Sequence, residues 1–181
     1  MITNPPEREQ FMSIATLGSD MKAEGYYPND DPNLEIGKDV EWHLMLFNRM
    51  GRAQLVSARI KLLNSIQTPP DSQTHTPTAG EPFLEINRLL LNNETWTIPL
   101  VWNIAEAIPE GEGIRVRALS FNGETREVDV VSTGGNNFRI IIELWSFDLD
   151  SGEFEYPWKS GDELRSAWNQ IWFNVTLTTQ A

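Results

Sequence analysis

The chain has 181 residues, 40% of them hydrophobic and 22% charged, which suits one good-sized globular domain and excludes a disordered chain. Its 14 basic and 26 acidic side chains give a net charge of −12, which excludes the basic footprint that nucleic acid or an anionic membrane surface requires. With no Cys and two His, disulfides, thiolate metal sites, a Cys nucleophile and a His-rich metal centre are excluded as well.

In chain order, residues 1–10 read as a polar tether. They hold no apolar h-region of a signal peptide, and Pro5-Pro6 cannot join a sheet interior. From 11 to 178 the dominant period is two, the signature of half-buried strands. Val40, Trp42, Leu44 and Leu46 alternate with Glu41, His43, Met45 and Phe47. Val56, Ala58, Ile60 and Leu62 alternate with Ser57, Arg59 and Lys61. Residues 67–80, rich in Pro, Thr and Ser, read as a mobile surface loop. Trp96, Ile98, Leu100, Trp102 and Ile104 make the next strand, and Ile114, Val116 and Ala118 another. The run 138–145 is continuous and β-branched, and fits a central strand buried on both faces. Ile171, Phe173, Val175 and Leu177 form the last strand, and 179–181 is a tail. Asn122-Gly123, Gly134-Gly135 and the stretch 148–152 supply turns. Helix candidates are limited to single turns at 86–91 and 162–168. About eight short antiparallel strands in one chain predict an all-β, single-domain sandwich of immunoglobulin-like type.

One local pattern stands out near the N-terminus. Leu17-Gly18 ends a strand, Lys22-Ala23-Glu24-Gly25-Tyr26-Tyr27-Pro28 follows, Gly37 opens the next strand and Asn48 closes it. This resembles the archaeal DUF1616 domain, a domain of unknown function in predicted membrane proteins, over 11–66 and more loosely to 178. The resemblance implies an immunoglobulin-like sandwich, without catalytic residues, on the outer face of an archaeal membrane, attached to helices outside this chain. The sequence departs from the pattern by the second Tyr and by the acidic insertion Asn29-Asp30-Asp31-Pro32-Asn33. From the residues alone, the same loop is either a chain reversal with Pro28 fixing φ and a Tyr over the sandwich edge, or a binding loop.

Candidate sites are few. Asp148 and Asp150 in the 148–152 turn, with Asp30 and Asp31, offer oxygens for calcium, although turn geometry alone also selects Asp and Gly there. Trp158, Trp168 and Trp172, beside Lys159, Asp162, Arg165 and Asn169, are aromatic platforms for a sugar, or caps on the open end of the sandwich; Tyr26 and Tyr27 are further ligand candidates. Trp42, Trp96, Trp102 and Trp145 fall in core patterns. Asn93 and Asn174 head glycosylation sequons. Neither His43 nor His75 sits in a motif, and there is no nucleophile elbow, phosphate loop or dinucleotide fingerprint. The expectation is a non-catalytic structural or interaction domain, with a carbohydrate- or calcium-binding module as the alternative. It needs no cofactor beyond calcium in that alternative. Its partners are proteins or its own membrane segment outside the chain, with carbohydrate in the alternative. No stretch approaches the ~20 apolar residues of a membrane span, so the chain itself does not insert. Its place is the outside of an archaeal membrane if it is cut from a longer chain, and the cytoplasm otherwise.

Overall fold

A computed structural model describes residues 8–178. The first seven residues of the tether and the tail at 179–181 lie outside the described residues. Nine strands have seven residues or more: β1 (Phe11–Leu17), β3 (Val40–Arg49), β4 (Gln54–Leu63), β5 (Leu84–Leu90), β6 (Thr95–Glu110), β7 (Gly113–Phe121), β8 (Glu124–Thr133), β9 (Phe138–Asp148) and β13 (Ala167–Thr176). Four have three residues each: β2 (Asn33–Glu35), β10 (Glu153–Glu155), β11 (Trp158–Ser160) and β12 (Glu163–Arg165). A 3-10 turn at Pro28–Asp30 is the one helical element among the described residues. No helix there is long and apolar enough to cross a membrane.

The strands form an all-β sandwich. One sheet has the order β1-β3-β6-β7-β8 and is antiparallel throughout. The other runs β2-β13-β9-β4-β5, antiparallel except for β2, which lies parallel to β13. Alternation decides which side chains meet between the sheets. Trp42, Leu44 and Leu46 of β3 and Leu100, Trp102 and Ile104 of β6 face Val56, Ala58 and Ile60 of β4 and Ile140, Ile142 and Leu144 of β9, all fully buried. Aromatic rings run through this core. Trp102 lies 4.9 Å from Trp42, 5.9 Å from Phe121 and 5.3 Å from Phe173, which stacks on Phe138 at 5.6 Å. Each such pair adds about 0.5–1.5 kcal/mol beyond its area burial. Pro99 is tolerated inside β6 because β7 pairs only from Trp102 onward, so Pro99 is paired on the β3 side alone.

Both single-turn helix candidates are strand. Residues 86–91 belong mostly to β5, whose alternating burial puts Leu90 inside and Leu89 outside. Residues 162–168 cover β12 and the start of β13, and the pull of the ladder overrides a weak helical preference.

The outer face of the second sheet is where the long loop goes. β9 carries Arg139, Ile141, Glu143 and Trp145 outward, beside Arg59 and Lys61 of β4. The segment between β4 and β5 lies over Arg139, Glu143 and Lys61. Lys61 Nζ sits 3.1 Å from Glu143 Oε2 and donates to the Thr78 carbonyl at 2.7 Å, while the Thr78 N–H donates to Glu143 Oε1 at 2.7 Å. Trp145 Nε1 donates to the same carboxylate at 3.0 Å, and Arg139 donates to the Gln67 carbonyl. Glu143 is fully buried and Lys61 is 5% exposed. This cover buries β9 on both faces, as its continuous, β-branched run predicts.

The strand on the other side of β9 is interrupted. β10 pairs Glu155 with Ser146, and β13 resumes with Ala167 opposite Leu144. Between them the chain makes an excursion through the β11–β12 hairpin. That hairpin is fastened beside the start of β1, where Ser160 Oγ donates to the Gln10 carbonyl at 2.9 Å and Arg165 pairs with Glu9 at 3.0 Å.

Candidate functional site

The loop between β1 and β3 folds the way it does because of close backbone approach. A Cβ on Gly18 would stand 2.2 Å from the Glu24 carbonyl oxygen and 2.5 Å from that of Gly25, so only Gly allows the reversal from Leu17 into Lys22-Ala23-Glu24. Gly37, at φ +78°, turns the chain into β3 and donates to the Ile104 carbonyl at 2.9 Å. Asn48, fully buried, ties the far end together. Its amide nitrogen donates to the carbonyls of Arg52, Leu90 and Leu91, and its oxygen accepts from the Met50 N–H at 2.9 Å.

Tyr26 and Tyr27 stand edge-on to Trp42, at 6.4 and 6.3 Å. Tyr26 donates its hydroxyl to the Thr16 carbonyl at 3.0 Å, and its own carbonyl accepts from Trp42 Nε1 at 2.8 Å. Tyr27 reaches across to β13 and donates to the Trp172 carbonyl at 2.5 Å. Burial pushes both phenols above the ordinary tyrosine range. The outer sides of both rings border an open concavity of about 400 Å³, with Asp20, Asp30, Asp39 and Glu41 around it and no basic side chain in its lining. Such a surface suits a cationic or hydroxyl-rich contact and repels phosphate.

The calcium candidates are not brought together. Asp31 lies beside β2, near the start of β9, while Asp148 ends β9. Eleven extended residues at about 3.3 Å each separate the two by roughly 30 Å. Asp148 Oδ1 accepts the N–H groups of Asp150 and Ser151, and Asp31 Oδ1 accepts the N–H and side-chain amide of Asn33. These bonds hold both carboxyls below the usual aspartate range. Among the described residues no group of three or more Asp, Glu, His or Cys is placed to hold a metal ion.

The three C-terminal tryptophans separate. Trp158 is 4% exposed and belongs to the core, because the excursion turns it inward; it offers no platform to a ligand. Trp145 makes the reverse exchange. It lies on the outer face, with the Arg59 guanidinium 4.1 Å above its ring, instead of in the core. Trp168 and Trp172 share the outward face of β13 with Gln170. Trp168 Nε1 donates to Ser72 Oγ at 2.9 Å, and Trp172 is 39% exposed with Arg139 4.7 Å from its ring centre.

Sequence reasoning missed the polar fastenings of the long loop. His75, held at φ +53°, places Nδ1 2.8 Å from Ser166 Oγ. The partners are far apart in sequence and carry no motif. For Glu143 a signal existed, since it is the one acid inside the apolar run 138–145. Of the two sequons, Asn93 is exposed in the β5–β6 turn, whereas Asn174 lies within β13. The chain matches no protein-family model, and no curated protein matches it.

Proposed function

We propose that this chain is a non-catalytic structural and interaction module, an immunoglobulin-like sandwich presented on the outer face of an archaeal membrane protein or envelope complex. The observation that supports it is how the motif behind the resemblance is used. Gly18, Tyr26, Gly37 and Asn48 are all occupied in shaping and fastening the fold, and none is left to act on a substrate. The module offers a rigid frame whose loops face a neighbour, with no cofactor. Protease shaving and membrane fractionation of source cells test this reading. A membrane-associated species digested by protease added outside supports it; a soluble chain protected inside the cell overturns it.

A second reading is supported by the outward row Trp168, Gln170 and Trp172. It makes β13 a carbohydrate contact, with the Trp172 ring stacking on a sugar face. Quenching of Trp emission by an oligosaccharide, lost in Trp172→Ala, favours it. Unchanged emission at millimolar sugar removes it.

A further inference from the structure

We propose that Asn93 is an N-glycan acceptor and that Asn174, despite an equally good sequon, is not. The proposal rests on the displayed-domain reading for its biological setting, but its geometry stands apart from location. An acceptor Asn must leave its own fold contacts and present its amide, with the hydroxyl residue two positions on, to a transferase.

Asn93-Glu94-Thr95 satisfies this. The turn is rigid, because the Asn93 N–H donates to the Asn48 carbonyl at 2.7 Å and Glu94 O accepts from the Asn48 N–H at 3.1 Å. Asn93 sits at φ +62°, exposed, and its side chain makes no hydrogen bond among the described residues. Thr95 is exposed at the start of β6. In Asn174-Val175-Thr176 both ends are occupied. Asn174 Oδ1 accepts the Asn137 N–H at 2.9 Å, its Nδ2 donates to Asn33 Oδ1 at 3.0 Å, and Thr176 Oγ1 donates to the Leu34 carbonyl at 3.4 Å. The sequon is also paired in register with Asn33–Glu35 of β2, and Val175 is 2% exposed.

The co-reactant is a lipid phosphate-linked oligosaccharide. A bond forms between the Asn93 amide nitrogen and the anomeric carbon while that carbon's bond to the phosphate oxygen breaks. The lipid phosphate leaves with the bonding pair, and the amide proton passes to a base of the transferase. Asn93 lies within four residues of Leu89 in β5 and of Leu91 just after it, 57% and 60% exposed, at a strand paired on one side only, so a glycan there would shield the free edge of that sheet.

The test is transfer in vitro, with the full folded chain, a purified oligosaccharyltransferase and its lipid-linked donor, read by peptide mass spectrometry. The unfolded chain, modified at both sequons, serves as the positive control for the enzyme. Glycan on Asn93 and not on Asn174 in the folded chain, with total loss in Asn93→Gln, is the expected result. Glycan on Asn174, or on neither, in the folded chain overturns the proposal. Because the reaction is independent of cellular location, a cytoplasmic chain would defeat the displayed-domain reading without touching this outcome.

Discussion

Replacing Glu143 by Ala tests whether the long loop is held by chemistry or merely lies on the sheet. The carboxylate serves Lys61 at 3.1 Å, the Thr78 N–H at 2.7 Å and Trp145 Nε1 at 3.0 Å, and it is fully buried. Truncation leaves the Lys61 ammonium buried without its counter-charge, a change that costs about 3–5 kcal/mol. For a chain of this length that corresponds to a fall in Tm of roughly 6–20 °C. Glu143→Gln retains an acceptor for Thr78 but not the charge, so its loss falls between wild type and Glu143→Ala. The Thr78 carbonyl accepts from Lys61, so the loss has a local signature as well. Limited proteolysis should cleave between 64 and 83 in Glu143→Ala under conditions where the wild type resists. A fall of less than about 1 kcal/mol, the scale of an exposed pair, with unchanged cleavage would refute the reasoning.

Three further outcomes follow from the turns and loops. Asp148 is held low by the N–H groups of Ser151 and Asp150, and Asp71 by those of Thr74 and Gln73. Their stabilisation is therefore present above the ordinary aspartate value near 4 and lost as pH falls through the lower folded values. Tm measured against pH should drop below about pH 4, and the double variant Asp71→Asn, Asp148→Asn should flatten that limb; an unchanged limb removes the assignment. Gly18→Ala forces a Cβ to within 2.2 Å of the Glu24 carbonyl and should cost about 1–3 kcal/mol, with altered Trp42 emission as Tyr26 and Tyr27 shift. A stable variant with native emission contradicts that. Millimolar calcium should leave Tm unchanged, because the acidic turns sit at opposite ends of β9 and spend their oxygens on N–H groups. A rise reversed by Asp148→Asn would restore the calcium reading.

The strands were legible because burial on one face leaves a period of two, and Val40–Arg49 or Gln54–Leu63 carry it without interruption. What the period cannot convey is which face is covered by something else. Trp145 and Trp158 show this. Both are large and apolar, yet one lies on the outer face beneath the Arg59 guanidinium and the other is folded inward by an excursion in the strand beside β9. The single helical turns expected at 86–91 and 162–168 are strand, because propensity over six or seven residues is too weak to outweigh a neighbour's ladder. Site contacts were harder still. His75 and Ser166, or Tyr27 and Trp172, meet only through the fold, and neither spacing nor composition records such pairs.

On the proposed reading as an interaction module, the same contrast bears on where a neighbour docks. Residues of the loop pattern described above are spent inside the domain: Asn48 gives its side chain to both the β3–β4 turn and the end of β5, and Gly18, lacking a Cβ, lets the Glu24 and Gly25 carbonyls approach. The departures from that pattern serve both the fold and the surface. Tyr27, the second Tyr of the loop, brings it onto β13 beside Trp172, and the insertion supplies Asp31 and Asn33, through which β2 is fastened to Asn174. The insertion also contributes Asn29 and Asp30 to the acidic concavity. On the proposed reading, the acidic side chains around that concavity, Asp20, Asp30, Asp39 and Glu41, can vary with the neighbour while the fastening residues keep the fold.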